Sequence, residues 1–190
     1  TPPNIACEAQ VEGTNAFYGG NTAADNSGRL RYFRLQHSGF QILPGNELNG
    51  ITMAGVGSGT TIEYIQVHNS SDDGIEAFGG SANMKYLVFT GNEDDNLDTD
   101  VGFRGTAQFV ISAQRADNNI GDPFLETDSN GSTSNSNASE DALPRQYLKV
   151  ANFTHIQRSN TGDDGASMLL RGGADLALVN GLIGSPDPSC

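Results

Sequence analysis

The sequence predicts an all-β protein folded as a parallel β-helix, a solenoid whose rungs are about 22 residues long. Three observations lead there. Gly makes up 24 of 190 residues, Trp is absent and only 17% of residues are charged, which disfavours a charge-rich helical bundle and favours strands and turns. Comparing the chain with itself brings out a repeat. Each copy has the same order: a run rich in β-branched and aromatic residues, an Asn/Asp/Gly turn, then a second short alternating run, and none reads as a helix. At 20.0 kDa the chain is long enough for one domain, 1–190.

Residues 8–28 are small and polar, an irregular lead-in to the first rung. Leu30-Arg31-Tyr32-Phe33-Arg34-Leu35 is the first strand-like run. The clearest copy is Ile62-Glu63-Tyr64-Ile65-Gln66-Val67, continuing through Asp72-Asp73-Gly74-Ile75-Glu76-Ala77-Phe78-Gly79-Gly80. Met84-Lys85-Tyr86-Leu87-Val88-Phe89 follows 22 residues later, continuing through Asp94-Asp95-Asn96-Leu97-Asp98-Thr99-Asp100-Val101-Gly102. Ala107-Gln108-Phe109-Val110-Ile111-Ser112 opens the next copy after a further 23. A polar loop without periodicity occupies 128–140, and weaker copies follow at Tyr147–Phe153 and Leu176–Ile183.

Such short strands cannot bury their apolar faces alone, whereas stacking copies at ~4.8 Å does so. An antiparallel sandwich could share the turn spacing, but it does not require consecutive strands to share a sequence. Alternation then places Ile75, Ala77, Leu97, Thr99 and Val101 in the core and Glu76, Asp98 and Asp100 toward solvent. Tyr32, Tyr64, Tyr86 and Phe109 fall in the apolar phase and predict a core aromatic stack, with a sugar-stacking ladder as the alternative. His37, His68 and His155 share no column, so they read as surface histidines rather than a metal site or triad.

Ten Lys and Arg against 23 Asp and Glu give a net charge of −13 and a pI near 4.3. That charge repels phosphate backbones and anionic headgroups, so no nucleic-acid partner is expected. No run approaches the ~18 to 20 apolar residues of a membrane span. Starting at Thr1, the chain reads as processed and exported. Cys7 and Cys190 have no metal or redox spacing and suit an oxidising compartment. The rungs between them would hold them tens of ångströms apart, beyond the ~7 Å reach of a disulfide. An intermolecular bond and head-to-tail self-assembly would follow, unless terminal segments fold back and permit an internal one.

The acids are the strongest chemical signal. The repeat sets Asp72 over Asp94 and Asp117, Asp73 over Asp95, and Glu76 over Asp98, with Asp100 on the same strand face. Carboxylates stacked at ~5 Å repel unless a cation lies between them, and hard oxygen donors from adjacent rungs suit Ca²⁺. The competing reading is that Asp-Asp-Gly and Asp-Asp-Asn are turn formers whose side chains cap backbone N–H groups. There is no phosphate-binding loop, dinucleotide fingerprint or nucleophile elbow.

The run Asn46 to His68, continuing through Asp72-Asp73-Gly74, Phe78-Gly79-Gly80, Lys85-Tyr86-Leu87 and Gly102-Phe103-Arg104-Gly105, resembles a family of exported bacterial proteins and lipoproteins. That family is similar to the right-handed parallel β-helix, pectin-lyase-like superfamily. The resemblance covers roughly 28–115 and implies a right-handed solenoid, secreted or on the outer surface of a bacterium, without assigning an activity. The chain departs from it in having Ala77 and Thr99 where Trp is common, which weakens the argument for carbohydrate stacking.

In polysaccharide lyases of that superfamily, acid-held calcium neutralises a uronate and an Arg or Lys takes the neighbouring proton. The resemblance would cast Arg104, or else Arg115, as base beside Asp94 and Asp95. A glycoside hydrolase would instead need paired carboxylates ~5 to 9.5 Å apart, a residue type that Asp72/Asp73 and Asp94/Asp95 supply. An acidic surface poorly matches a polyanionic substrate. The leading expectation is thus a non-catalytic extracellular or cell-surface module with a structural, adhesive or glycan-binding role. It would be stabilised by Ca²⁺, with a surface polysaccharide or a second copy as partner. The alternative is a carbohydrate-active enzyme, a lyase or hydrolase.

Overall fold

A computed structural model describes residues 8–11, 14–115, 124–129, 143–158 and 167–186. A hairpin of β1 (Glu8–Gln10) and β2 (Phe17–Gly19) leads into β3 (Arg29–Gln36), and a second hairpin, β4 (Phe40–Leu43) with β5 (Asn46–Leu48), follows. From there short and long strands alternate: β6 (Ile51–Ala54), β7 (Thr61–His68), β8 (Ile75–Phe78), β9 (Asn83–Thr90), β10 (Leu97–Asp100) and β11 (Thr106–Ala113). The alternation continues through β12 (Leu125–Asp128), β13 (Tyr147–Ile156), β14 (Met168–Arg171) and β15 (Asp175–Gly184).

The long strands form one parallel sheet in the order β3-β7-β9-β11-β13-β15, and the short ones another in the order β6-β8-β10-β12-β14. Each rung contributes one strand to each sheet, which is the expected β-helix. Ile62 pairs with Met84 and Met84 with Ala107, the register of the repeat. Beyond these rungs the period stretches, because the β4–β5 hairpin lies between β3 and β7 and longer connections flank β12.

The core is built of inward columns. One runs Ile62, Met84, Ala107, Val150; a second Ile65, Leu87, Val110, Phe153; a third Val67, Phe89, Ser112, His155. From the other sheet come Ile75, Leu97, Leu125 and Met53, Ala77, Thr99, Thr127. The first two columns and the Ile75 column are wholly apolar, the others turn polar at Ser112, His155, Thr99 and Thr127, and burial of the apolar side chains drives the stacking.

Several expectations are corrected. Tyr32, Tyr64, Tyr86 and Phe109 stack as a ladder, with ring centroids 4.7, 4.5 and 5.0 Å apart, but on the surface rather than in the core. Each has a positive φ, 55° to 60°, and Asn152 and Asn180 in the same column follow at 55° and 54°. This left-handed residue bends every long strand and resets its phase. Glu63 and Tyr64 both point outward before the buried Ile65, so strict alternation counted from Ile62 places the ring on the wrong side. Val101, likewise at positive φ (49°), belongs to the turn after β10 and is only half-buried.

His155 is buried in the third column, not on the surface, while His37 and His68 lie together with ring centroids 5.8 Å apart. The lead-in at 8–28 contains a hairpin, because Glu8 to Gln10 find antiparallel partners in Phe17 to Gly19. Asp128 closes β12 instead of opening a loop, and 130–140 lies outside the described residues, as do Cys7, Cys190 and Asp117.

An acid-lined cleft as the candidate functional site

The outward face of the short-strand sheet carries two columns. Thr52, Glu76, Asp98, Glu126 and Leu169 form one; Ala54, Phe78, Asp100, Asp128 and Arg171 form the other. Sequence reasoning found Glu76, Asp98 and Asp100 but missed Glu126, Asp128 and Arg171. The signal was present: Leu125-Glu126-Thr127-Asp128 repeats Leu97-Asp98-Thr99-Asp100, at a longer spacing than the other copies.

Outward does not mean exposed. Glu76, Asp100, Glu126 and Asp128 are buried and Asp98 is half-buried. Residues of both hairpins, including Gln10, Asn15, Ile42 and Leu43, line a cleft of about 790 Å³ with Glu76, Asp98, Asp100, Asp128 and Arg171. Tyr18 on β2 leans on Phe78, with ring centroids 6.4 Å apart. Burial, then the charges of Asp100 and Glu76, push its phenol up to about 12. Backbone bonds anchor this segment to the solenoid: the Ser58 and Gly59 amides donate to the carbonyls of Ala23 and Asp25 at 2.9 and 3.0 Å.

Two overlapping carboxylate clusters result. Asp73, Glu76 and Asp98 each bring an oxygen within 4.8 Å of the others, as do Asp72, Asp73 and Asp94 in the preceding turn. Asn49 Nδ2 donates to Glu76 Oε2. Burial first, then Asp98, Asp95, Glu76 and Asp94, push the Asp73 carboxyl well above the usual range. For Asp98 the same direction follows from burial, then Asp100, Asp95 and Glu76, against a backbone hydrogen bond at Thr99. These buried aspartate clusters can hold a metal ion: the donors are hard oxygens, and mutual repulsion is the load a cation relieves. The turn-former reading also has a basis, since the Asp95 amide donates to Asp73 Oδ1 at 2.9 Å.

At the far end, Arg171 pairs with Glu126, and its Nε lies 3.9 Å from Asp128 Oδ2. Among the described residues it is the one cation lining the cleft. Arg104 is placed elsewhere. It is exposed on the turn after β10, while Asp94, exposed, and Asp95, buried, precede β10. A four-residue strand, roughly 13 Å, separates the candidate base from those acids. Arg115 pairs with Glu93 at 3.4 Å.

Set against known proteins, residues 1–187 match the family described as pectate-lyase like beta helix domain. No curated protein and no solved structure matches the chain.

Proposed function

Because the chain belongs to the pectate-lyase-like β-helix family, we propose that it is an extracellular or cell-surface module that binds polysaccharide in the acid-lined cleft, with Ca²⁺ held by Asp73, Glu76 and Asp98. One observation carries this reading: carboxylates from adjacent rungs are gathered within 4.8 Å of one another, Glu76 and Asp98 lining a cleft walled by both hairpins and Asp73 buried beside them. Unneutralised carboxylates in such a place cost stability, and a divalent ion offsets that cost. The cleft volume lies in the range of small-ligand sites. Ca²⁺ would supply positive charge toward which sugar hydroxyls or a uronate can turn. Binding is favoured over turnover because Arg171 is held in ion pairs rather than poised as a base.

The test is thermal unfolding with Ca²⁺, Mg²⁺ or EDTA, alongside retention on immobilised polysaccharides. The expected result is a rise of several degrees in Tm with Ca²⁺, equivalent to about 2.7 kcal/mol at a hundredfold excess over Kd, with polysaccharide retention lost in EDTA. No Ca²⁺ shift, together with retention indifferent to EDTA, would overturn the reading.

A second reading, turnover of the bound polysaccharide, draws on Asp98. In the Ca²⁺-free cleft the Asp98 carboxyl is held above its usual range, the state a general acid needs. New reducing ends or unsaturated products that vanish in Asp98→Asn would favour it.

A further inference from the structure

The acids are not spread evenly, and the opposite side of the solenoid has different chemistry. The long strands β3, β7, β9, β11, β13 and β15 carry Arg29, Arg31, Arg34, Lys85 and Lys149 against Glu63 and Asp175 alone. Half of the ten cations therefore lie on a sheet whose own charge is positive, in a molecule whose net charge is −13. Glu63 is paired with Arg31 at 3.2 Å and Asp175 with Arg145 at 2.8 Å.

The ridge of this sheet is the aromatic ladder. Its rings lie within 9° of parallel, so their faces cover one another and their edges point out. Tyr32 is 74% exposed, and Tyr64, Tyr86 and Phe109 about 40%. Beside the ladder runs an open apolar groove of about 640 Å³, in which Val88 and the 54% exposed Ile111 continue the apolar surface. Arg34 is the one charged residue lining it among the described residues. Because Tyr64 and Tyr86 are stacked on both faces, the ridge offers little to a sugar, which needs a free face, beyond the end ring Tyr32. Ring edges with tyrosine hydroxyls, aliphatic side chains and flanking Arg and Lys are instead the composition that settles at a membrane interface.

We propose that this ridge docks the β-helix, edge first, on an anionic lipid bilayer surface. The bases on its slopes face the headgroups while the acid-lined cleft, on the other sheet, stays turned to solvent. The net charge does not forbid this: stacked sheets pack ~10 Å apart, which sets the acids of the other sheet's outward face beyond a Debye length of about 8 Å, whereas each Lys or Arg near the surface attracts anionic lipid. A second copy fits less well, since matching ridges would bring these bases together.

The test is co-sedimentation of the full chain with phosphatidylcholine vesicles, with and without phosphatidylglycerol, at low and high salt. Binding to the phosphatidylglycerol vesicles is expected, weakened by salt. It should fall at least about thirtyfold in Arg34→Glu/Lys85→Glu and be lost in Tyr64→Ser/Tyr86→Ser, both checked for wild-type unfolding profiles. The charge variant keeps the test valid if the ladder variant fails to fold. Absence of binding, equal binding to neutral vesicles, or binding unchanged in the charge variant would overturn the proposal. So would concentration-dependent self-association abolished by the same substitutions, which would assign the ridge to a second copy.

Discussion

Acidification should unlock a single buried histidine, and its effect can be isolated. His155 lies in the third core column, its Nδ1 3.0 Å from Ser112 Oγ and its ring stacked on Phe124 at 5.1 Å. Nε2 is buried and has no hydrogen-bond partner among the described residues. Burial pulls the imidazole pKa from 6.5 down to about 4. The folded state thus favours the neutral ring, so this stability is fully present above about pH 6.5 and is lost as pH falls toward 4. At 1.36 kcal/mol per pH unit, the span from 6.5 to about 4 amounts to roughly 3.4 kcal/mol, or about 7 to 14 °C in Tm for a chain of this size. The comparison is Ser112→Ala/His155→Phe, which removes both partners at once among the apolar neighbours Phe89 and Ile183. Urea unfolding of both proteins from neutral to about pH 4 gives two curves. Carboxylates titrating on the other sheet cancel in their difference. Wild type should lose about 3 kcal/mol relative to the variant across that window. A difference curve flat to within about 0.5 kcal/mol would refute the reasoning.

Asp98→Asn should stabilise the Ca²⁺-free protein at neutral pH by about 1 kcal/mol, or 2–4 °C, and abolish the Ca²⁺ shift in Tm. A raised carboxyl pKa makes stability fall as pH rises through the folded value, so the gain should disappear on acidification. A Cβ at Gly74 would stand 2.6 Å from both Asn92 Nδ2 and the Asn96 carbonyl and 2.7 Å from Phe89 Cδ1. Gly74→Ala should therefore cost about 1–3 kcal/mol in denaturant titrations and weaken Ca²⁺ binding by displacing Asp73. Thr99→Val should cost about 1–3 kcal/mol by the same measurement. It removes the hydroxyl that accepts from the buried Gln146 amide at 2.5 Å.

The rungs that were easy to read are those whose turns keep nearly the same length, 22 and then 23 residues from strand to strand. Where Thr61 pairs with Asn83 and Asn83 with Thr106, spatial neighbours are also neighbours in the repeat, and Glu76 over Asp98 follows by counting. Asp98 over Glu126 does not, because a longer connection leads to β12 and self-comparison at one offset passes over it. The outward direction of the acids was legible from alternation; their burial was not. It depends on hairpins that, among the described residues, pair within themselves and carry no copy of the repeat. The ladder was misplaced for a local reason, since one left-handed residue exchanges inside for outside and Tyr is not a residue that announces positive φ.

The ladder also gives the molecule an optical asymmetry. The chain has no Trp and five Tyr, and three of these stack on the successive long strands β3, β7 and β9, close enough for their transitions to couple. Near-ultraviolet dichroism should thus be dominated by one end of the solenoid, while far-ultraviolet dichroism averages over every rung. Solenoids unfold as near-one-dimensional arrays. If the two signals melt apart, their order tells from which end the rungs unzip.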